Sequence, residues 1–226
     1  MNMPDIAENL RIVRERIAVA AARAGRNPED IILVAVSKTV DVERIRQAIA
    51  AGATDLGENY VQEAIDKCRD IGNAAKWHFI GHLQKNKAKF VVEAFDLVQS
   101  VDTLELAWQL GKRAAAAGRT IDVLIEAHIS GEESKFGASP SEVIEMAGQV
   151  DSVEGVRVLG LMGMPPFLEN PEDVRPYFAE LKGLWERLPD RQRKYLSMGM
   201  SHDFEVAIEE GSNMVRVGTA IFGSRV

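Results

Sequence analysis

The chain has 226 residues, 46% of them hydrophobic, and carries a net charge of −7 with a pI of about 5.3, so it can bury a large core and offers nucleic acid little to bind. Its one run of like cations, Lys85, Lys87 and Lys89, reads as a solvated helix face, and its single cysteine, Cys68, excludes an internal disulfide framework and a cysteine-based zinc cluster. No apolar run approaches the roughly 20 residues that span a bilayer, and residues 1–25 form an amphipathic helix instead of a signal peptide, so the expected location is the cytoplasm.

Ile6, Leu10, Val13, Ile17 and Ala21 recur at helical spacing, and Gly25 with Asn27-Pro28 ends that first helix. The apolar run Ile31 to Ser37 is a buried strand that drives into Lys38. Asp41 is placed to cap a helix through Ile45, Ala48 and Ile49, closed by Gly52. Thr54-Asp55-Leu56 is a short strand, Gly57-Glu58-Asn59-Tyr60 its loop, and a helix follows to Gly72. Trp77-His78-Phe79-Ile80 forms a third strand before Gly81, and the lysine-bearing helix runs to Ala94. Asp96 to Val101 is a fourth strand, after which Asp102 and Glu105 have capping-box spacing for a helix ended by Gly118.

Ile121 to Ile129 is the fifth strand, and its loop, Ser130 to Gly137, is too polar to be core. Ser139-Pro140-Ser141-Glu142 opens a helix with proline in its first position. Val156 to Leu161 is the sixth strand, leading into Met162-Gly163-Met164-Pro165-Pro166, and Asn170 caps a longer helix with Pro176 in an early turn. Tyr195 to Met198 and Met214 to Val217 are strands seven and eight, with a helix from His202 to Glu210 between them.

Eight strands separated by helices, with no linker or change of composition, predict one domain over residues 1–226, a parallel (β/α)8 barrel with an extra N-terminal helix. No Gly-x-Gly-x-x-Gly follows the first strand, which argues against a dinucleotide fold. Barrel chemistry gathers at strand C-termini, which makes Lys38, Asn59, His82, Ser100, His128, Met162, Ser201, Arg216, Gly218 and Thr219 the candidates. A lysine at a barrel mouth loses hydration and becomes a nucleophilic amine able to form a Schiff base. Ser201 can cap the helix it precedes, and Gly218-Thr219 lets a ligand approach the backbone; loops seven and eight are the usual phosphate site of a barrel.

Taken singly, Ser201 could be an ordinary cap, Gly218 an ordinary turn, and Arg216 a structural partner of Glu209. Taken together, they describe an aldehyde site across the mouth from a phosphate site, which are the two handles of pyridoxal 5′-phosphate. Arg216 then lies between them, near the pyridine nitrogen. Since arginine only donates, the ring would be a weak electron sink.

Six segments resemble the pyridoxal phosphate homeostasis proteins: Val36 to Thr39, Gly57 to Glu63, Trp77 to Gln84, Ser130 to Lys135, Leu196 to Ser201, and Val215 to Gly223. The resemblance runs from the first helix to the C-terminus and implies the barrel of the alanine racemase N-terminal domain. It implies that Lys38 forms the Schiff base, that Arg216 meets the pyridine nitrogen, and that Ser201, Gly218 and Thr219 cradle the phosphate. It places Asn59 and Met162 along the ring, and casts the protein as a monomeric holder of the cofactor, able to pass it to pyridoxal phosphate-dependent apo-enzymes. One departure is the fifth strand's ending, Glu126-Ala127-His128, where a Val-Asn ending is expected; His128 reads as a satisfied strand histidine.

The main alternative is an amino-acid racemase on the same fold. Two-base racemisation needs a second proton donor, supplied in catalytic relatives by an added β domain for which the chain leaves no room after Gly218. Tyr60, His82 and His128 are conceivable substitutes, but no motif pairs them with a carboxylate. A cofactor-free aldolase needs carboxylates on neighbouring strand ends, which show mainly Asn, Ser, His and Met. A metal-dependent hydrolase is disfavoured because the histidines are not read as an H-x-H or H-x-x-x-H pair, so no metal is expected, and without a second proton donor no catalytic residue is expected.

Overall fold

The structure, a computed structural model, describes residues 5–130 and 137–223. Eight parallel strands close into a barrel in chain order: β1 (Ile32–Val36), β2 (Asp55–Glu58), β3 (Lys76–Phe79), β4 (Leu97–Val101), β5 (Ile121–Ala127), β6 (Val156–Gly163), β7 (Tyr195–Met200) and β8 (Met214–Val217). β1 pairs with β8, Ala35 opposite Val217, and this seam joins the first strand to the last. The helices are α1 (Ile6–Arg23), α2 (Val42–Ala50), α3 (Val61–Ile71), α4 (Ala88–Ala94), α5 (Leu104–Ala116), α6 (Val143–Asp151), α7 (Arg175–Glu186), α8 (Phe204–Glu209) and α9 (Thr219–Phe222). Among the described residues no helix is long and apolar enough to cross a membrane.

α1 is the helix added to the barrel, and it packs on α2, α8 and α9. Its stripe Ile6, Leu10, Val13, Ile17, Ala20 and Ala21 is buried, while Arg16 reaches Glu205 on α8 at 2.6 Å and Asn9 bonds the carbonyl of Ile221 at 2.9 Å. Two cores result. The outer one lies between strands and helices; the inner one, Val34, Leu97, Leu124, Leu159, Met162 and Met214, fills the barrel.

Several element boundaries differ from the sequence reading. α5 is capped by Thr103, which accepts from Leu106, and not by Asp102. α6 starts at Val143, so Pro140 lies in the preceding turns and not in the helix. Asn170 caps a 3-10 turn, Pro171–Val174, before α7 begins. Of the expected loop Ser130 to Gly137, residues 131–136 lie outside the described residues.

Candidate functional site

Lys38 is half-buried in the turn after β1, and the residues on both sides of it are anchored. Lys67, on α3, is buried and donates to the Ser37 carbonyl at 2.7 Å, to Glu58 at 2.8 Å and to Glu63 at 2.6 Å. Glu63 also accepts the amide of Thr39 at 2.6 Å, and the Ser37 hydroxyl donates to Glu58 at 2.6 Å. Thr39 adopts φ of 64°, a strained conformation for a β-branched residue. Lys67 and Glu63 thus hold a turn that local preference would release. Burial pushes the Glu58 carboxyl above its ordinary range, against the pull of Lys67 and Ser37. Lys67→Met strands two carboxylates and is expected to cost roughly 3–5 kcal/mol in urea unfolding. Glu63→Gln keeps an acceptor for Thr39 and should cost less.

The phosphate candidates sit at the seam. A Cβ on Gly218 would stand 3.4 Å from the Val36 carbonyl, so the ends of β1 and β8 are neighbours. The two sites therefore share one sector of the rim and do not face each other across the mouth. Ser201 does not cap the helix that follows it: its hydroxyl accepts the amides of Gly218 at 3.1 Å and Ala220 at 3.4 Å. The start of α8 is instead occupied by Asp203, which accepts from the Met200 amide at 2.6 Å. Thr219 is exposed.

Arg216 is buried in the barrel, 4% exposed. It donates from Nη1 to the Ser197 hydroxyl at 2.6 Å and from Nη2 to the Gly163 carbonyl at 3.1 Å. Glu209, its partner in the alternative structural reading, is elsewhere, paired with Arg175 at 2.8 Å and Arg23 at 3.5 Å. Burial lowers the guanidinium to about 10, opposed by the fields of Asp203 and Glu126, so Arg216 is charged at neutral pH. Met162 belongs to the inner core beside Val34 and Met214. Asn59 follows β2, half-buried, with its Oδ1 buried and unpaired; Gly81 lies so close that a Cβ there would come 2.3 Å from the Asn59 carbonyl.

The remaining strand-end residues diverge. Contrary to the sequence reading, His78 and His82 do have H-x-x-x-H spacing, but they lie on a strand and its loop and diverge: His78 points into the barrel toward Asp55 at 3.0 Å, while His82 meets Asp102 at 3.4 Å. His82 thus has the carboxylate partner that sequence motifs did not disclose. His128 bonds the Ser130 hydroxyl at 3.0 Å, and Ser100 donates to the Gly81 carbonyl at 2.5 Å. Among the described residues no group of three metal-ligating side chains converges. A cleft of about 640 Å³, lined by Thr54, Arg69, Lys76 and Arg119 among others, opens at the strands' N-terminal ends, away from all these candidates.

Glu126, near the end of β5, is a residue the strand-end reading passed over. Burial, reinforced by the field of Asp102 and opposed by Arg216, raises its carboxyl to about 7. Between its ordinary 4.5 and that value the folded chain holds a proton that the unfolded chain has lost. Stability therefore falls as pH rises through this window and levels off above it. Glu126→Gln is expected to remove that slope and to be more stable than the parent at pH 8 by roughly 3 kcal/mol, as urea unfolding at pH 5 and pH 8 will report.

The chain matches the family described as alanine racemase, N-terminal domain, over residues 4–226. It is 47% identical to the pyridoxal phosphate homeostasis protein of Aquifex aeolicus, covering 96% of this chain and 97% of that one. It is 44% identical to the Escherichia coli K12 protein of the same name, covering 99% and 98%. Among solved structures, PipY of Synechococcus elongatus with PLP bound superposes with a TM-score of 0.81 at 33% identity, covering 96% of this chain and all of PipY. An alanine racemase of Clostridium difficile shares the fold, with a TM-score of 0.73 at 18% identity, and this chain spans 57% of its length.

Proposed function

The chain belongs to the pyridoxal phosphate homeostasis protein family, and from that membership we propose that it holds pyridoxal 5′-phosphate reversibly and acts as a carrier or buffer of the cofactor. When bound, the cofactor supplies an electrophilic aldehyde and an electron-withdrawing ring. In this reading Lys38 provides the amine that tethers the aldehyde as a Schiff base. Ser201, Gly218 and Thr219 receive the phosphate, and Arg216, Asn59 and Met162 face the ring.

The residues suit such a group. Asn59 has a buried acceptor with no partner, and the amides of Gly218 and Ala220 already converge on one oxygen atom, that of Ser201. The observation that carries a holding role is Arg216. Its two hydrogen bonds go to a hydroxyl and a carbonyl, which supports reading it as a guanidinium with N–H groups to spare for the ring nitrogen, where a carboxylic acid would protonate it. A guanidinium can donate to a ring nitrogen but does not protonate it, which disfavours building up charge on the ring. The same reading makes residues 1–226 one domain, monomeric and cytoplasmic, that passes its cofactor to dependent apo-enzymes and turns over no substrate of its own.

The test begins with reconstitution: the loaded protein should absorb in the visible region, and borohydride should fix the cofactor to the peptide bearing Lys38. Loaded protein mixed with a cofactor-dependent apo-enzyme should then restore activity faster than free cofactor at equal concentration. A protein that stays colourless removes the proposal, and rapid deuterium entry at the α-carbon of alanine would replace the carrier by a racemase.

A further inference from the structure

Parallel barrel strands are normally filled with branched apolar residues, yet five strands here turn a polar side chain inward and join them end to end. Arg216 on β8 donates to the Ser197 hydroxyl on β7 at 2.6 Å. That hydroxyl donates to Gln99 Oε1 on β4 at 2.6 Å, and Gln99 Nε2 lies 2.9 Å from His78 Nδ1 on β3. His78 Nε2 lies 3.0 Å from Asp55 Oδ1 on β2, whose other oxygen accepts from Thr54 at 2.7 Å. The five residues are 0–8% exposed. The step from Ser197 to Gln99 crosses the barrel, because β7 and β4 are not neighbours.

The two ends dictate the direction of everything between them. Arg216 can only donate, so the Ser197 hydrogen must go to Gln99 Oε1. That orients the amide with its NH2 toward His78, whose Nδ1 must then be the acceptor and whose Nε2 must carry the proton given to Asp55. Asp55, as a carboxylate, only accepts. Burial opposes its ionisation, but the bonds from His78 and Thr54 prevail and hold it below its ordinary range. A buried cation at the base of the candidate site is thereby linked, through hydrogen bonds that all run the same way, to an anion at the opposite end of the barrel.

We propose that Ser197, Gln99, His78 and Asp55 are positioning residues for the cofactor site, which fix the Arg216 guanidinium and set its strength as a donor to the ring from the far end of the barrel. This rests on the cofactor reading above. The bond to Ser197 and the bond to Gly163 together hold the guanidinium plane, so the N–H groups left over have one direction. A break anywhere along the series frees Ser197 or Gln99 to turn and loosens that direction.

The experiment uses full-length Gln99→Met, which breaks the series mid-barrel with little change of volume, and Asp55→Asn, which removes the anion. Ser197→Ala serves as a smaller second break should Gln99→Met not fold, with circular dichroism as the check. Each is titrated with pyridoxal 5′-phosphate. The expected result is about tenfold weaker binding with a shifted absorption maximum of the bound cofactor, although none of these residues is assigned a place at the rim. In the cofactor-free parent, ring nitrogen NMR should show His78 protonated on Nε2 alone, and Ser197→Ala should alter that signal.

Parent-like affinity and an unmoved absorption maximum in folded variants would overturn the proposal while leaving the cofactor reading intact. A parent protein that takes up no cofactor would remove both, and the two failures are told apart by the parent titration alone.

Discussion

Replacing Lys38 with alanine is expected to abolish the visible band of the loaded protein and all borohydride labelling, and to speed release of the cofactor by at least about tenfold. The amine stands at the end of a strand, and the backbone on both sides of it is clamped by Lys67 and Glu63. The contacts proposed for Ser201, Gly218 and Arg216 do not depend on the amine and should leave weak, non-covalent binding behind, with the absorption of the free aldehyde. Lys38→Arg separates charge from nucleophilicity: it keeps the cation but cannot form the imine, and should behave as the alanine variant does. Labelling that persists in Lys38→Ala on another lysine would overturn the assignment.

A second large effect is expected where the backbone leaves no space. Gly160 on β6 faces Tyr195 on β7 with φ of 155°, and a Cβ there would lie 1.7 Å from the Tyr195 carbonyl oxygen and 2.7 Å from its carbon. Both are strand backbone, so the clash can be relieved only by parting β6 from β7, which carry Met162 and Ser197. Gly160→Ala is expected to lose at least about 4 kcal/mol or to fail to fold. Gly183, exposed on α7 with nothing within 4 Å of its missing Cβ, is the control, since alanine there should add about 0.5–1 kcal/mol. Urea unfolding of the two variants should give opposite signs; similar small changes would show that the β6–β7 contact yields more easily than the geometry implies.

The barrel was legible because each strand is a short apolar run bounded by glycine, proline or a cap, and that rhythm survives errors of a few residues at the ends. Lys38 was legible for the same reason: an amine that terminates such a run is conspicuous. Ser201 was misplaced because a serine ahead of a helical stretch looks like its cap, and only closure of the barrel brings the Gly218 and Ala220 amides to its hydroxyl. The alternative of pairing Arg216 with Glu209 rested on nearness in sequence, whereas β8 turns Arg216 inward and α8 turns Glu209 to Arg175 and Arg23.

The series from Arg216 to Asp55 draws on five strands and has no local pattern. Its trace in the sequence is that Asp55, His78, Gln99 and Ser197 interrupt strands that should be apolar throughout. Glu126 leaves the same mark. Lys67, about two turns into a helix, gives no sign that it supports a turn 29 residues earlier.

The seam between β1 and β8 bears on how the protein is made. The amine at residue 38 and the amides at residues 218 and 220 come from opposite ends of the chain, and they meet only when the last strand pairs with the first. If Lys38 is the tether and these amides the cradle, as proposed, a nascent chain still lacking β8 has the first without the second, so capture of a phosphorylated aldehyde would follow the slow non-local pairing of β8 with β1. A ligand spanning that junction binds only the closed form and by mass action favours it. Cellular supply of the ligand would thus influence how much of the newly made chain persists as well as how much is loaded.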